Sequence, residues 1–210
     1  MEDIILLGGG GHAKSIIDSL KSNAEYKIIG ILDMKNKIGK IVNGVEVIGQ
    51  DSDLAYFYEQ GIKHAFVTVG ALGDNSIRIK LFRLAKSIGY NFPAIIDKTA
   101  IVSETAQIRE GTFIGKGAII NTNVTVGENC IINTGVIIDH DCFINSSVHL
   151  APGTTLSGEV HIGNGSHLGT NSTVIQDITI GSNTIIGAGS VVVKNIESNK
   201  KAYGNPCRVV

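Results

Sequence analysis

The chain has 210 residues, a formal net charge of −1 and no long run of either charge sign, which argues against nucleic acid or an anionic membrane as its main partner. No apolar run approaches the roughly 20 residues that span a bilayer, and the N-terminus "MEDIILLGGGG" lacks the basic region of a signal peptide, so a soluble, cytoplasmic protein is expected. Cys130, Cys142 and Cys207 form no zinc spacing and, being odd in number, no disulfide framework, while 26 glycines beside only 3 prolines indicate a repeat with tight backbone turns.

In chain order, "DIILLGGGGHAKSIIDSLKSN" reads as a strand, a glycine loop and a helix, and "YKIIGILDMK" as a second strand ending in Asp33. "LAYFYEQG" reads as a short helix, "KHAFVTVG" as a strand and "DNSIRIKLFRLAKSIGY" as an amphipathic helix. Strands alternating with helices predict a parallel sheet covered on both faces. Gly8, Gly10 and Ala13 satisfy G-x-G-x-x-G/A at the first strand-to-helix turn, where backbone N–H groups can hold a phosphate. Asp33, at the end of the next strand, is placed to hold a ribose hydroxyl. The plainer reading of those glycines is a turn that lets helix pack on strand. A dinucleotide fold needs two such halves, and only one fits before Ile96, so a mononucleotide or a nucleotide-linked sugar is expected and NAD is not. His12, within the loop, reads either as a turn residue or as a side chain that reaches such a ligand; His64 reads as surface.

From Ile96 every sixth residue is Ile, Val or Leu, for seventeen positions without a slip, ending at Val192. Four residues after each stands a small or β-branched residue, Cys130 and Cys142 among them, whose task is packing. This is the hexapeptide pattern of a parallel β-helix: one short strand and one corner per hexad, three hexads per coil of eighteen. Gly and Asn provide left-handed backbone at the corners. The predicted division is an α/β domain over residues 1–90 and a β-helix over 91–210.

Adding eighteen moves one coil along the prism. His140, set between Asp139 and Asp141 in "IDHDCF", has Thr122 below it and Gly158 above, where the bare backbone predicts an open slot. A neighbouring carboxylate raises the basicity of an imidazole and fixes its tautomer, as a general base requires. Successive strand residues point to opposite faces, so Asp141 can serve His140 only if the corner turns it. His149 and His167 are eighteen apart and are expected to sit about 5 Å from each other on adjacent coils, with His161 on the neighbouring face.

Taken together, "LGGGGHAKS", "VGALGDNSIR", "DHDC" followed by "HLAPG", and "IGAGSVVVKNI" with "AYGNPCRVV" make the whole chain resemble the bacterial sugar O-/N-acyltransferases, left-handed β-helix enzymes that acetylate sialic acids or UDP-linked 4-amino-sugars. The resemblance implies a left-handed prism, acetyl-CoA as co-substrate and a homotrimer with acetyl-CoA in the groove between two prisms. It implies that His140 is the base and that Asp141, often Glu in the family, raises its basicity. Asn133 and His12 acquire active-site roles, and His149 faces acetyl-CoA. The nucleotide-sugar loop becomes Gly10, Gly11 and His12, with Asp33 and Lys35 on the nucleotide and Gly70 in the substrate site. Groove walls come from His149 and Gly158 on one side and from Thr170 and Ala188, eighteen apart, on the other. The final G-x-P-A of the family is Gly204-Asn205-Pro206-Cys207 here.

The expected activity is therefore acetyl transfer to the amine of a nucleotide-linked sugar. His140 removes the amine proton and a backbone N–H near Gly158 holds the oxyanion. No metal is expected. The alternatives are O-acetylation of a sialic acid, a zinc hydratase using His149, His161 and His167, and a structural spacer bearing a binding module.

Overall fold

The computed structural model describes residues 1–71 and 73–210. It divides into two compact units, Met1–Lys98 and Thr99–Val210. Residues 91–98 belong to the first unit because its elements hold them. The Asn91 carbonyl accepts the Ala65 N–H, the Asn91 N–H bonds to Lys63 O, the Ile96 carbonyl accepts Asn23 Nδ2, and buried Asp97 accepts the Ser19 hydroxyl.

The first unit runs β1 (Glu2–Leu7), α1 (Gly11–Asn23), β2 (Tyr26–Leu32), β3 (Ile41–Val42), β4 (Val45–Gly49), α2 (Leu54–Glu59), β5 (His64–Val67) and α3 (Ser76–Ile88). The sheet order is β3-β4-β2-β1-β5; β1 lies parallel to β2 and β5, and β2 parallel to β4. Ile4, Ile5, Leu6 and Leu7 are all fully buried. Because successive strand residues point to opposite faces, both faces of the sheet are covered, as expected. The buried apolar residues of α1, Ala13, Ile16, Ile17 and Leu20, fall on one helical stripe. The antiparallel β3–β4 hairpin is an addition to the predicted elements. Its turn is Asn43-Gly44, both at positive φ, the pair that suits a two-residue hairpin turn.

The second unit is the predicted left-handed β-helix. Two-residue strands end on the periodic aliphatics, and each pairs in parallel with the strand eighteen residues on: Ile119↔Ile137, Thr125↔Phe143, Ile131↔His149. From Ile114 to Val192 the periodic aliphatics are essentially inaccessible, and each buried side chain contributes about 1.5–3 kcal/mol. Cys130 and Cys142 are buried inward; their thiols approach the carbonyls of Asn145 and Ser157 at 3.1 Å, and burial pushes the Cys142 thiol up to about 11. One face carries an exposed ladder of Ile101, Ile119 and Ile137. Another ends in the hairpin of Lys201–Gly204 and Cys207–Val209. No helix among the described residues is long and apolar enough to cross a membrane.

Candidate active site

The corners repeat one backbone conformation. Every sixth residue from Gly111 to Gly189 has φ between +54° and +72°, a region that glycine enters freely and that Asn and Asp tolerate better than other residues. Asp141 occupies this position, with φ +58°. The left-handed backbone breaks the strand alternation and brings Asp141 round to its neighbour, so that its Oδ2 lies 2.8 Å from His140 Nδ1. The hydrogen bond to Asp141 is the main reason the imidazole pKa is raised. The same bond, then one from Asn123, holds the Asp141 carboxyl below its ordinary value. Both side chains are about half exposed, at 48% and 47%.

Asparagines one coil below secure both flanking acids. Asn123 Nδ2 donates to Asp141 Oδ1 at 3.1 Å, and Asn121 Nδ2 to Asp139 Oδ1 at 3.0 Å. Asp139 Oδ1 also accepts the His140 N–H at 2.8 Å. These asparagines escaped the sequence reading, although the step of eighteen that stacks Thr122 on His140 also stacks Asn121 on Asp139 and Asn123 on Asp141. The expected slot over Gly158 is filled by the histidine itself: a Cβ added at Gly158 would lie 2.5 Å from His140 Cε1 and 2.7 Å from Nε2. Gly158 is thus the seat of the ring. Among the described residues, neither His140 Nε2 nor the Gly158 N–H has a hydrogen-bond partner. One ring nitrogen is tied to a carboxylate and the other is open, the arrangement a general base needs.

A different arrangement surrounds His149. It pairs with His167 across adjacent coils, with ring centroids 4.8 Å apart, as the spacing predicts, and Nδ1 3.2 Å from Nδ1. His149 is only 5% exposed, and its Nε2 lies 3.4 Å from Asn133 Nδ2. Asn133 therefore stands beside His149, on the coil below, while His140 stands on another corner of the prism. Thr170 and Ala188 are exposed and stack as predicted, the Gly189 N–H bonding to Thr170 O at 2.8 Å, but they sit at the corner just after the His149–His167 strand row. The structure thus groups His149 with Thr170 and Ala188, and Gly158 with His140, where the sequence reading set His149 and Gly158 on one wall. His161 is on a separate face, beside Phe143 and Thr179. Among the described residues no three His, Cys, Asp or Glu side chains are grouped to hold a metal ion.

In the first unit, a cavity of about 430 Å³ is bounded by Gly9, Gly10 and Gly11, by Lys14, Lys37 and Lys40, and by Ile41–Asn43 of the β3–β4 hairpin. Gly10 and Gly11 have open space where a Cβ would project. Asp33 acts as the clamp of this loop. Its Oδ2 accepts the Gly9 N–H at 2.7 Å, its Oδ1 accepts the Met34 N–H at 2.7 Å, and Lys37 Nζ reaches both oxygens at 3.0 and 3.1 Å. Burial would push its pKa up, but these three donors outweigh burial and hold it below the ordinary value. Lys37, not Lys35, borders the cavity: the 3-10 turn Lys35–Lys37 returns the residue four after Asp33 to the carboxylate. His12 and Gly70 are neighbours, a Cβ at Gly70 falling 3.6 Å from His12 Cβ, and neither borders this cavity. Buried Arg78 donates to Val67 O at 2.7 Å and Val69 O at 3.0 Å, which fixes the chain leading into Gly70.

Residues 3–85 match the family described as PglD N-terminal domain, and residues 105–140 and 159–194 match bacterial transferase hexapeptide repeats. A variant of GDP-perosamine N-acetyl transferase from Caulobacter crescentus, in complex with CoA and GDP-perosamine, is 37% identical with a TM-score of 0.94, over 100% of this chain and 97% of that one. The chain belongs to the hexapeptide-repeat sugar acetyltransferases. The acetyltransferase domain of PglB from Neisseria gonorrhoeae, in complex with acetyl coenzyme A, is 31% identical with a TM-score of 0.92, over 100% of this chain and 99% of that one. WeeI from Acinetobacter baumannii, at 23% identity and a TM-score of 0.86 over all of both chains, shares the fold. A search of curated protein sequences found no match. For this acetyltransferase the family and the left-handed β-helix are those that the sequence motifs imply.

Proposed function

We propose that the protein transfers the acetyl group of acetyl-CoA to the amine of a nucleoside-diphosphate-linked amino-sugar, with His140 as general base. The observation that carries this is the Asp141–His140 pair at 2.8 Å with Nε2 left open. An amine attacks a thioester only when neutral. Nε2 takes the proton as the amine nitrogen bonds to the thioester carbonyl carbon, and Asp141 steadies the imidazolium. The Gly158 N–H, which has no acceptor among the described residues, is the donor assigned to the developing oxyanion. Collapse of the tetrahedral species expels the CoA thiolate, which takes up the proton.

The nucleotide moiety is assigned to the first unit, with its diphosphate at the cavity bordered by Gly10, Gly11, Lys14, Lys37 and Lys40, a glycine loop at a helix start beside three lysines, which suits a phosphate. A UDP-linked 4-amino-sugar is the first candidate acceptor. The GDP-perosamine bound by the Caulobacter enzyme makes the GDP-linked counterpart the direct comparison. The same reading assigns acetyl-CoA to a groove lined by His149, Gly158, Thr170 and Ala188 in a homotrimer, and the exposed Ile101–Ile119–Ile137 ladder is the kind of apolar face that subunit contact covers. A panel of UDP- and GDP-linked amino-sugars and free sialic acids, assayed for acetyl-CoA consumption, tests the proposal. Turnover of an amino-sugar nucleotide supports it. Turnover confined to sialic acids overturns it, and light scattering that gives a stable monomer overturns the shared groove.

A further inference from the structure

The polar contacts around His149 run in one direction. The Thr134 N–H can only donate, and it points at Asn133 Oδ1 at 2.8 Å, which fixes the amide orientation and turns Nδ2 toward His149. An amide NH2 also only donates. His149 Nε2, 3.4 Å from that group, is therefore the acceptor, and the neutral ring carries its proton on Nδ1. That proton faces His167 Nδ1 at 3.2 Å, so His167 accepts on Nδ1 and bears its own proton on Nε2. Each member fixes the next.

We infer that the relay Thr134–Asn133–His149–His167 locks His149 as a neutral, Nδ1-protonated ring, and that His167 is the positioning residue that holds it there. His149 then serves as an oriented surface, with no nitrogen available to act as a second base. His167 packs in the row between His149 and Ile185, and its part in this unit is to supply a hydrogen-bond acceptor. The structural half of the inference stands on these contacts alone. Its consequence for catalysis rests on the reading that His149 faces acetyl-CoA.

The test uses the intact protein labelled with 15N-histidine. Long-range 1H–15N correlation at pH 7.5, assigned with His149 and His167 variants, reports which ring nitrogen carries hydrogen. The wild type should show His149 as the Nδ1–H tautomer and His167 as the Nε2–H tautomer. Two variants then separate acceptor from filler. His167→Gln keeps an acceptor and should keep the His149 tautomer and the KM for acetyl-CoA. His167→Phe keeps the ring but loses the acceptor; it should give a mixed His149 tautomer and raise that KM about fivefold, the worth of one neutral hydrogen bond, with kcat unchanged. An Nε2–H tautomer at His149 in the wild type overturns the relay. Wild-type tautomers as expected, with Gln and Phe variants of equal KM, overturn the positioning role while leaving acetyl transfer through His140 intact.

Discussion

His140 and His149 lie nine residues apart in the chain, and the fold treats their rings in opposite ways. His140 is on a corner next to left-handed Asp141, half exposed, with one nitrogen bound to a carboxylate and the other open. His149 is in a strand, nearly buried, with both nitrogens engaged by neutral groups one coil away on either side. His149 has Asn133 on the coil below and His167 on the coil above, and these two take up its hydrogen-bonding capacity. The ring of His140 instead lies against bare Gly158 on the coil above, which offers its Nε2 no partner. The same side chain thus keeps one nitrogen open or has both engaged according to the residues stacked against it.

The largest expected effect is on the open ring. His140→Ala should lower kcat by about 10² to 10⁴, the usual worth of general-base catalysis, with the KM for acetyl-CoA and the fold retained, since the core is the aliphatic row; steady-state kinetics beside circular dichroism measures both. Gly158→Ala attacks the seat of that ring. Its Cβ would overlap His140 at 2.5 to 3.1 Å and displace the imidazole, and a displacement near 1 Å costs on the order of 10² in rate. A full-rate Gly158→Ala enzyme would show that the ring's place over Gly158 is immaterial. In the first unit, Lys37→Ala removes both a cavity cation and the partner of Asp33, so the KM for the nucleotide-sugar should rise about tenfold, the scale of a charge-assisted hydrogen bond. Gly11→Val should raise the same KM by a smaller factor, because the side chain projects into open space at the loop, and should leave the KM for acetyl-CoA alone. Equal losses on both substrates would mark the loop as structural.

Much of this was legible in the sequence because a β-helix writes its stacking into a period. The step of six gives the inward row, and the step of eighteen alone places His149 beside His167 and Gly158 beside His140. What stayed hidden depended on direction. Whether Asp141 meets His140 is decided by its left-handed φ. That the Gly158 space is filled by the ring itself depends on a side-chain rotamer, and alignment in a row does not specify one. In the first unit the Asn43-Gly44 turn was present but unread, so the hairpin and the Lys40 and Ile41 edge of the cavity were missed. Lys37, and not Lys35, borders the cavity because a 3-10 turn, with no strong sequence signal, sets which lysine returns to Asp33.

The central claim is that Asp141 makes His140 a better base. The pH dependence of kcat/KM, for the wild type and for Asp141→Asn, tests it most directly. The base must be deprotonated to act, so its pKa sets the acidic limb. The bond to Asp141 raises that pKa, so the wild-type limb should lie above the ordinary histidine value of about 6.5. Replacing the carboxylate with an amide destabilises the imidazolium and lowers the pKa, so the limb should move to lower pH while the plateau rate falls by less than in His140→Ala. A limb that stays in place, or moves to higher pH, would contradict the account.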